Sequence, residues 1–126
     1  MADAEQPWRT FKTAWFAKAA RKAFIDDDEL CRAIADVRLG QADDLGGGVF
    51  KKRLDKNRRR SIILAKGRRY WIYAYLFAKQ DRANIDEDEL RAFRKLADLY
   101  AGKTDVEIAK ELKAKELVEI CNGRDA

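Results

Sequence analysis

Seven of the ten residues from Lys51 to Arg60 are cations, and the run follows almost directly on three glycines, Gly46 to Gly48. Side chains two apart share a face of a strand, so an extended Val49 to Leu54 puts Lys51 and Arg53 on one side and Phe50, Lys52 and Leu54 on the other. If Phe50 and Leu54 point into a core, Lys51 and Arg53 must project together, and Arg60 can join them from the start of the neighbouring strand. Cations fixed this way form a patch suited to phosphate. A strand dense in aromatics, Tyr70 to Phe77, follows closely, and a tyrosine beside such a patch can stack on a base or lend its hydroxyl to proton transfer. Simple alternation puts Trp71, Tyr73, Tyr75 and Phe77 on one face of that strand and Tyr70, Ile72, Ala74 and Leu76 on the other.

The charge distribution points to the same partner. The window from Lys51 to Arg69 carries ten cations against the single anion Asp55, a local balance of +9, and the whole chain is only +5, so the remainder is −4. One intensely basic window on an otherwise mildly acidic chain fits a polyanion met by one face. Lys52, Lys56, Arg58, Arg59, Arg68 and Arg69 are expected to add attraction to nucleic acid around Lys51, Arg53 and Arg60.

Other chemistries drop out. The chain has no histidine, which removes histidine-assisted nucleophiles, imidazole acid–base pairs and imidazole metal ligands. A phosphate loop follows a strand and opens a helix, whereas these glycines follow a helical pattern and lead into a strand. They are expected to supply positive φ and close backbone approach instead. The acidic runs Asp26 to Glu29 and Asp86 to Glu89 lie where helices begin, so they are expected to cap those helices; no metal and no cofactor is needed to explain them.

Positioning the patch requires a folded domain, and 126 residues with 47% apolar content suffice for one. Residues 9–120 are expected to form it, with flexible segments at 1–8 and 121–126. A short strand over Arg9 to Thr13 precedes a helix carrying Trp15, Phe16, Ala19, Ala20 and Ala23. A second helix opens with a capping box of Asp26 and Glu29, buries Leu30, Ala33, Ile34 and Val37, and ends at Gly40. Val49 to Leu54, Arg60 to Ala65 and Tyr70 to Phe77 then read as a three-stranded antiparallel meander joined by short turns. Asp86 with Glu89 opens a helix that buries Leu90, Phe93, Leu96, Ala97 and Tyr100 and stops at Gly102. Thr104 with Glu107 opens another, and Glu116 to Ile120 reads as an edge strand. The expected fold class is α+β, with helices grouped on one face of an antiparallel sheet and the other face partly open. The start MADAEQPW lacks the apolar core of a signal peptide, and no stretch has the length for a membrane span, so a cytoplasmic protein is expected. Cys31 and Cys121 show no framework spacing and are expected to stay reduced there.

Several stretches together resemble one family. DLGGGVFKKRL from Asp44, RRSIILAKGRRYWIYAYLFAK from Arg59, and the segment Lys79 to Ile85 are similar to the RelE/ParE superfamily of type II toxins. Within it the HigB-like branch shares the pattern FKTxWFAKxARK, which Phe11 to Lys22 matches. The resemblance covers about residues 9–120. It implies a RelE-like fold with two N-terminal helices packed on a small antiparallel sheet and one or two C-terminal helices. It also implies a toxin neutralised by a cognate antitoxin, expected to be a helix-turn-helix protein, and, for many members, cleavage of mRNA on the ribosome. The ParE branch instead poisons gyrase by binding. Family sites use Lys, Arg and Tyr on the concave sheet face, which carries over to Lys51, Arg53, Arg60, Tyr75, Lys79 and Arg82. The histidines of some HigB proteins have no counterpart here.

A site without histidine can cleave RNA because the attacking 2′-hydroxyl is already in the substrate. The expected roles are Lys51 as base, since crowded cations favour a neutral amine, and Arg53 and Arg60 as phosphate clamps. Tyr75, Lys79 or Arg82 would act as acid or base-stacking contact. The alternatives are a ParE-like inhibitor and a non-catalytic nucleic-acid-binding module.

Overall fold

In the computed structural model, which describes residues 8–67 and 69–121, strand β1 (Arg9–Thr13) runs straight into helix α1 (Ala14–Lys22). The Thr13 hydroxyl caps that helix by accepting from the Phe16 amide at 3.0 Å. Helix α2 (Asp27–Arg38) follows, and then β2 (Asp43–Gly46), β3 (Val49–Leu54), β4 (Arg59–Leu64) and β5 (Tyr70–Ala78). Helices α3 (Glu87–Ala101) and α4 (Asp105–Lys113) and strand β6 (Leu117–Ile120) complete the order. One sheet results, in the order β2-β3-β4-β5-β1-β6. The expected meander β3-β4-β5 is its centre. The sheet is not wholly antiparallel as expected, because β1 runs parallel to β5 with Arg9 opposite Tyr70 and Lys12 opposite Tyr73. The pair α1–α2 carries the chain across the sheet before β2, so the strand that finally returns beside β1 points the same way. Strand β2 was not expected at all.

Both faces of the sheet carry helices. Phe16, Ala20, Leu30, Ile34 and Val37 of α1 and α2 pack on Leu54, Ile63, Trp71, Tyr73 and Leu76. On the opposite face Ala97 and Ile108, with the partly buried Leu90, Phe93 and Leu96, cover Phe11, Val49, Ile62, Leu64 and Ile72. Helices grouped on a single face is therefore corrected: the apolar stripe of α3 needs cover as much as that of α2, and the second sheet face supplies it. Each fully buried side chain of this size contributes roughly 1.5–3 kcal/mol, which fixes where the helices sit.

The alternation assigned to β5 is also corrected. Ile62 faces Tyr75 while Ile63 faces Tyr73, so Ala74 is an extra residue, a β-bulge. One inserted residue reverses the parity of everything after it. Trp71 and Tyr73 face α1 and α2 as a pair, but Tyr75 and Phe77 turn to the α3 face and Leu76 to the α1–α2 face.

The helix caps follow the sequence with one exception. Asp86 with Glu89 and Thr104 with Glu107 form complete capping boxes. Asp26 accepts from the Glu29 amide at 2.9 Å, but the Glu29 carboxylate does not return to Asp26. It accepts instead from the Asp55 amide at 2.6 Å, where Asp55, Lys56 and Asn57 all have positive φ. A strained turn is thereby held against the start of α2.

The expectation of reduced cysteines is overturned: Cys31 and Cys121 form a disulfide with Cα atoms 5.6 Å apart. Strand β6 pairs with β1, Thr10 opposite Ile120, and Ile120 faces the α1–α2 side, which brings the next residue against α2. Trp8 is likewise packed, with the Arg38 guanidinium 3.5 Å above its ring. The rest of the expected flexible segments 1–8 and 121–126 lies outside the described residues.

Candidate functional site

The glycine run is the β2–β3 turn. Gly46, Gly47 and Gly48 have φ of +86°, +66° and +85°, and a Cβ on Gly48 would lie 2.5 Å from the Lys66 Cβ. Only glycine satisfies both the conformation and the approach. By ending β2 and starting β3 at Val49, the turn sets the register on which the site depends.

That register pairs Lys51 with Ile62 and Ile62 with Tyr75, and in the next row pairs Arg53 with Arg60 and Arg60 with Phe77. Lys51, Arg53, Arg60, Tyr75 and Phe77 therefore share the face on which α3 and α4 pack. Those helices bury Val49, Ile62, Leu64 and Ile72 but leave Arg53 exposed and Lys51, Arg60 and Tyr75 half-buried. Like charges directly opposite across two strands destabilise the pair, a cost that a bound anion would offset. The Arg60 guanidinium donates to the carbonyls of Asn57 at 3.0 Å and Arg59 at 3.2 Å. The Asp43 carboxylate is 3.8 Å from the Lys51 ammonium, and among the described residues no carboxylate lies within ion-pair distance of Arg53 or Arg60.

Arg82 reaches the same face from the loop between β5 and α3. Its guanidinium lies 5.6 Å from the Phe77 ring centre and donates to both Glu89 oxygens, at 3.1 and 2.5 Å. The Glu89 hydrogen bond, with smaller help from Tyr75, holds the Arg82 pKa above its ordinary value. Arg82 in turn, with the Asp86 amide, holds the Glu89 carboxyl below its ordinary value.

The remaining predicted residues lie elsewhere. Lys79 lines a separate cleft at the end of the sheet with Lys56, Asn57, Arg58, Arg59, Ala78 and Gln80, and its amide donates to the Arg58 carbonyl at 2.9 Å. Asp55 offsets this turn by accepting from Arg58 at 2.8 Å, which holds the Asp55 carboxyl below its ordinary value. Lys52 points to the α1–α2 side, 3.0 Å from the Gln41 carbonyl and 3.5 Å from the Asp36 carboxylate. Arg69 is at the other end of β5, bound to Asp105 and to the Tyr70 hydroxyl at 3.0 Å. Arg68 lies outside the described residues.

Sequence reasoning missed Trp15, Phe93, Asp43 and Glu89 as neighbours of the site. Trp15 reads as part of a helical stripe, yet its ring is 5.1 Å from that of Tyr75, and Phe93 stands 5.9 Å away on another side. The acidic pair Asp43-Asp44, one residue ahead of three glycines, was the available sign of a hairpin arm facing Lys51.

The domain is a small α+β fold that carries an arginine pair, a lysine and clustered aromatics on one sheet face. Residues 8–120 match the RelE toxin of the RelE/RelB toxin–antitoxin system, and the chain belongs to this toxin family. No curated protein and no solved structure matches the chain. Membership implies an antitoxin partner. No helix among the described residues is long and apolar enough to cross a membrane.

Proposed function

We propose that the protein is a metal-independent endoribonuclease toxin that cleaves mRNA on the ribosome and is silenced by its antitoxin, a helix-turn-helix protein. The observation that carries this reading is the Arg53–Arg60 pair, uncompensated and side by side, in the row next to Lys51 and Tyr75. Two arginines on directly paired residues of neighbouring strands can both reach the non-bridging oxygens of one phosphodiester and the charge that grows on it during reaction.

In the proposed reaction the 2′-oxygen attacks the adjacent phosphorus and the bond from phosphorus to the 5′-oxygen breaks, leaving a 2′,3′-cyclic phosphate and a 5′-hydroxyl. Lys51 takes the 2′-hydroxyl proton. Tyr75, beside Arg82, returns a proton to the departing 5′-oxygen. Lys79, set apart with Lys56, Arg58 and Arg59, is better suited to flanking phosphates than to the scissile one.

Primer extension on mRNA from cells expressing the protein tests the reading. Cuts at codon-linked positions that require ribosomes are expected, and they vanish when Lys51, Arg53 and Arg60 are all changed to Ala. Growth arrest that persists in the folded triple variant would reject the site, and intact mRNA beside cleaved DNA would replace the reading with gyrase inhibition.

A further inference from the structure

The aromatic cluster at the head of α1 remains unexplained by packing alone. Trp15 is 52% exposed, although large aromatic side chains of this chain such as Phe16, Trp71 and Tyr73 are buried. Its ring lies 5.1 Å from Tyr75 at an interplanar angle of 30°, and Tyr75 in turn lies 5.9 Å from Phe77 and 5.9 Å from Phe93. The placement is topological. Strand β1 stops one residue past its pairing with Tyr73, and the chain turns into α1 beside the bulged end of β5, so Trp15 caps the open edge of that aromatic row.

The cations and the aromatics lie in parallel rows. Arg60 and Phe77 are on neighbouring strands, about 5 Å apart in the sheet, and Lys51 and Tyr75 are two strands, about 10 Å, apart. A nucleotide has the same division: a phosphate at one end and a flat base about that far from it. We propose that Trp15 and Tyr75 form a nucleobase platform that stacks an unpaired base of single-stranded RNA next to the phosphate held by Arg53 and Arg60. Stacking needs no hydrogen-bond readout, so the platform orients the substrate without dictating which base occupies it. The proposal rests on the ribonuclease reading and adds a residue, Trp15, that the basic patch does not require.

The test uses a single-stranded hexanucleotide with 2′-O-methyl sugars, which binds without being cleaved, and a second strand of the same length lacking bases. Affinity is read for every variant from the anisotropy of a fluorophore attached to the strand; because Trp71 is buried and Trp8 lies under Arg38, tryptophan quenching in wild type additionally reports chiefly on Trp15. Wild type is expected to bind with quenching, Trp15→Phe to bind within about twofold of it, and Trp15→Leu to bind about tenfold more weakly, all with unchanged thermal stability. The loss in Trp15→Leu should disappear on the baseless strand. Wild-type affinity in Trp15→Leu, or an equal loss on both strands, overturns the platform alone. Failure of wild type to bind the hexanucleotide, or unchanged binding in the Lys51, Arg53 and Arg60 triple variant, overturns the platform beside the phosphate site, whereas the ribonuclease reading itself fails only if ribosome-dependent cuts are absent in primer extension.

Discussion

Glu89 has two tasks in one carboxylate. It closes the α3 capping box by accepting from the Asp86 amide at 2.8 Å, and it holds Arg82 against Phe77. Arg82 is thus oriented toward the candidate site by a helix start and not by the sheet. Because Arg82 and the Asp86 amide both favour the ionised form, the Glu89 carboxyl is depressed in the folded protein. A depressed carboxyl contributes stability that is fully present above its unfolded pKa and is lost as pH falls through its folded value. Thermal unfolding followed from about pH 7 to about pH 3 should show this against Glu89→Gln. Glutamine can still accept from the Asp86 amide but does not titrate, so the variant is expected to melt below wild type at neutral pH, with the gap closing in acid. Parallel curves would mean that Glu89 serves α3 by shape alone. The Lys51 and Arg53 pairing with Ile62 and Arg60 needs no such support, since backbone register secures it.

At the scale of elements, the longest-range constraint is the Cys31–Cys121 bond, which closes a loop of 90 residues by sequence separation and ties β6 to α2. Chain-entropy reasoning assigns such a loop roughly 4.6 kcal/mol, or about 17 °C in Tm for a domain of this size. Reductant, or Cys31→Ser with Cys121→Ser, is expected to lower Tm by that order in calorimetry. An unchanged Tm would show that β6 is held by its pairing with β1 and by Leu117 and Ile120 alone. The bond also marks where the sequence stopped being legible. Strands β3 to β5 and the caps at Asp86 and Thr104 could be read, because alternation and capping boxes are local patterns. Lys51, Arg53 and Arg60 could be placed on one face for the same reason. Strand β2, the parallel pairing of β1, the disulfide and the bulge at Ala74 arise from distant segments meeting, and period-two counting misplaced Tyr75 because one inserted residue is silent in sequence.

For the whole molecule, the basic window divides into two populations once it is folded. Lys51, Arg53 and Arg60 lie on the sheet face beside the aromatics, while Lys56, Arg58 and Lys79 gather around the β3–β4 turn at the sheet end. The second group is offset by Asp55 and, more weakly at Arg58, by Glu29, and under the proposed function it would meet phosphates flanking the sheet face. Groups that neutralise flanking phosphates act by releasing counterions, so their effect appears in the salt dependence of binding. Changing Lys56, Arg58 and Lys79 together to Ala is expected to weaken single-stranded RNA binding uniformly across sequences. It should also flatten the slope of log affinity against log salt by about two to three, and leave ribosome-dependent cleavage of mRNA nearly intact. The Lys51, Arg53 and Arg60 variant should differ in kind, losing ribosome-dependent cleavage of mRNA even though low salt restores its binding to single-stranded RNA. If both variants change only the slope, the Arg53–Arg60 pair is one more part of a general polyanion surface and the sheet face carries no chemistry of its own.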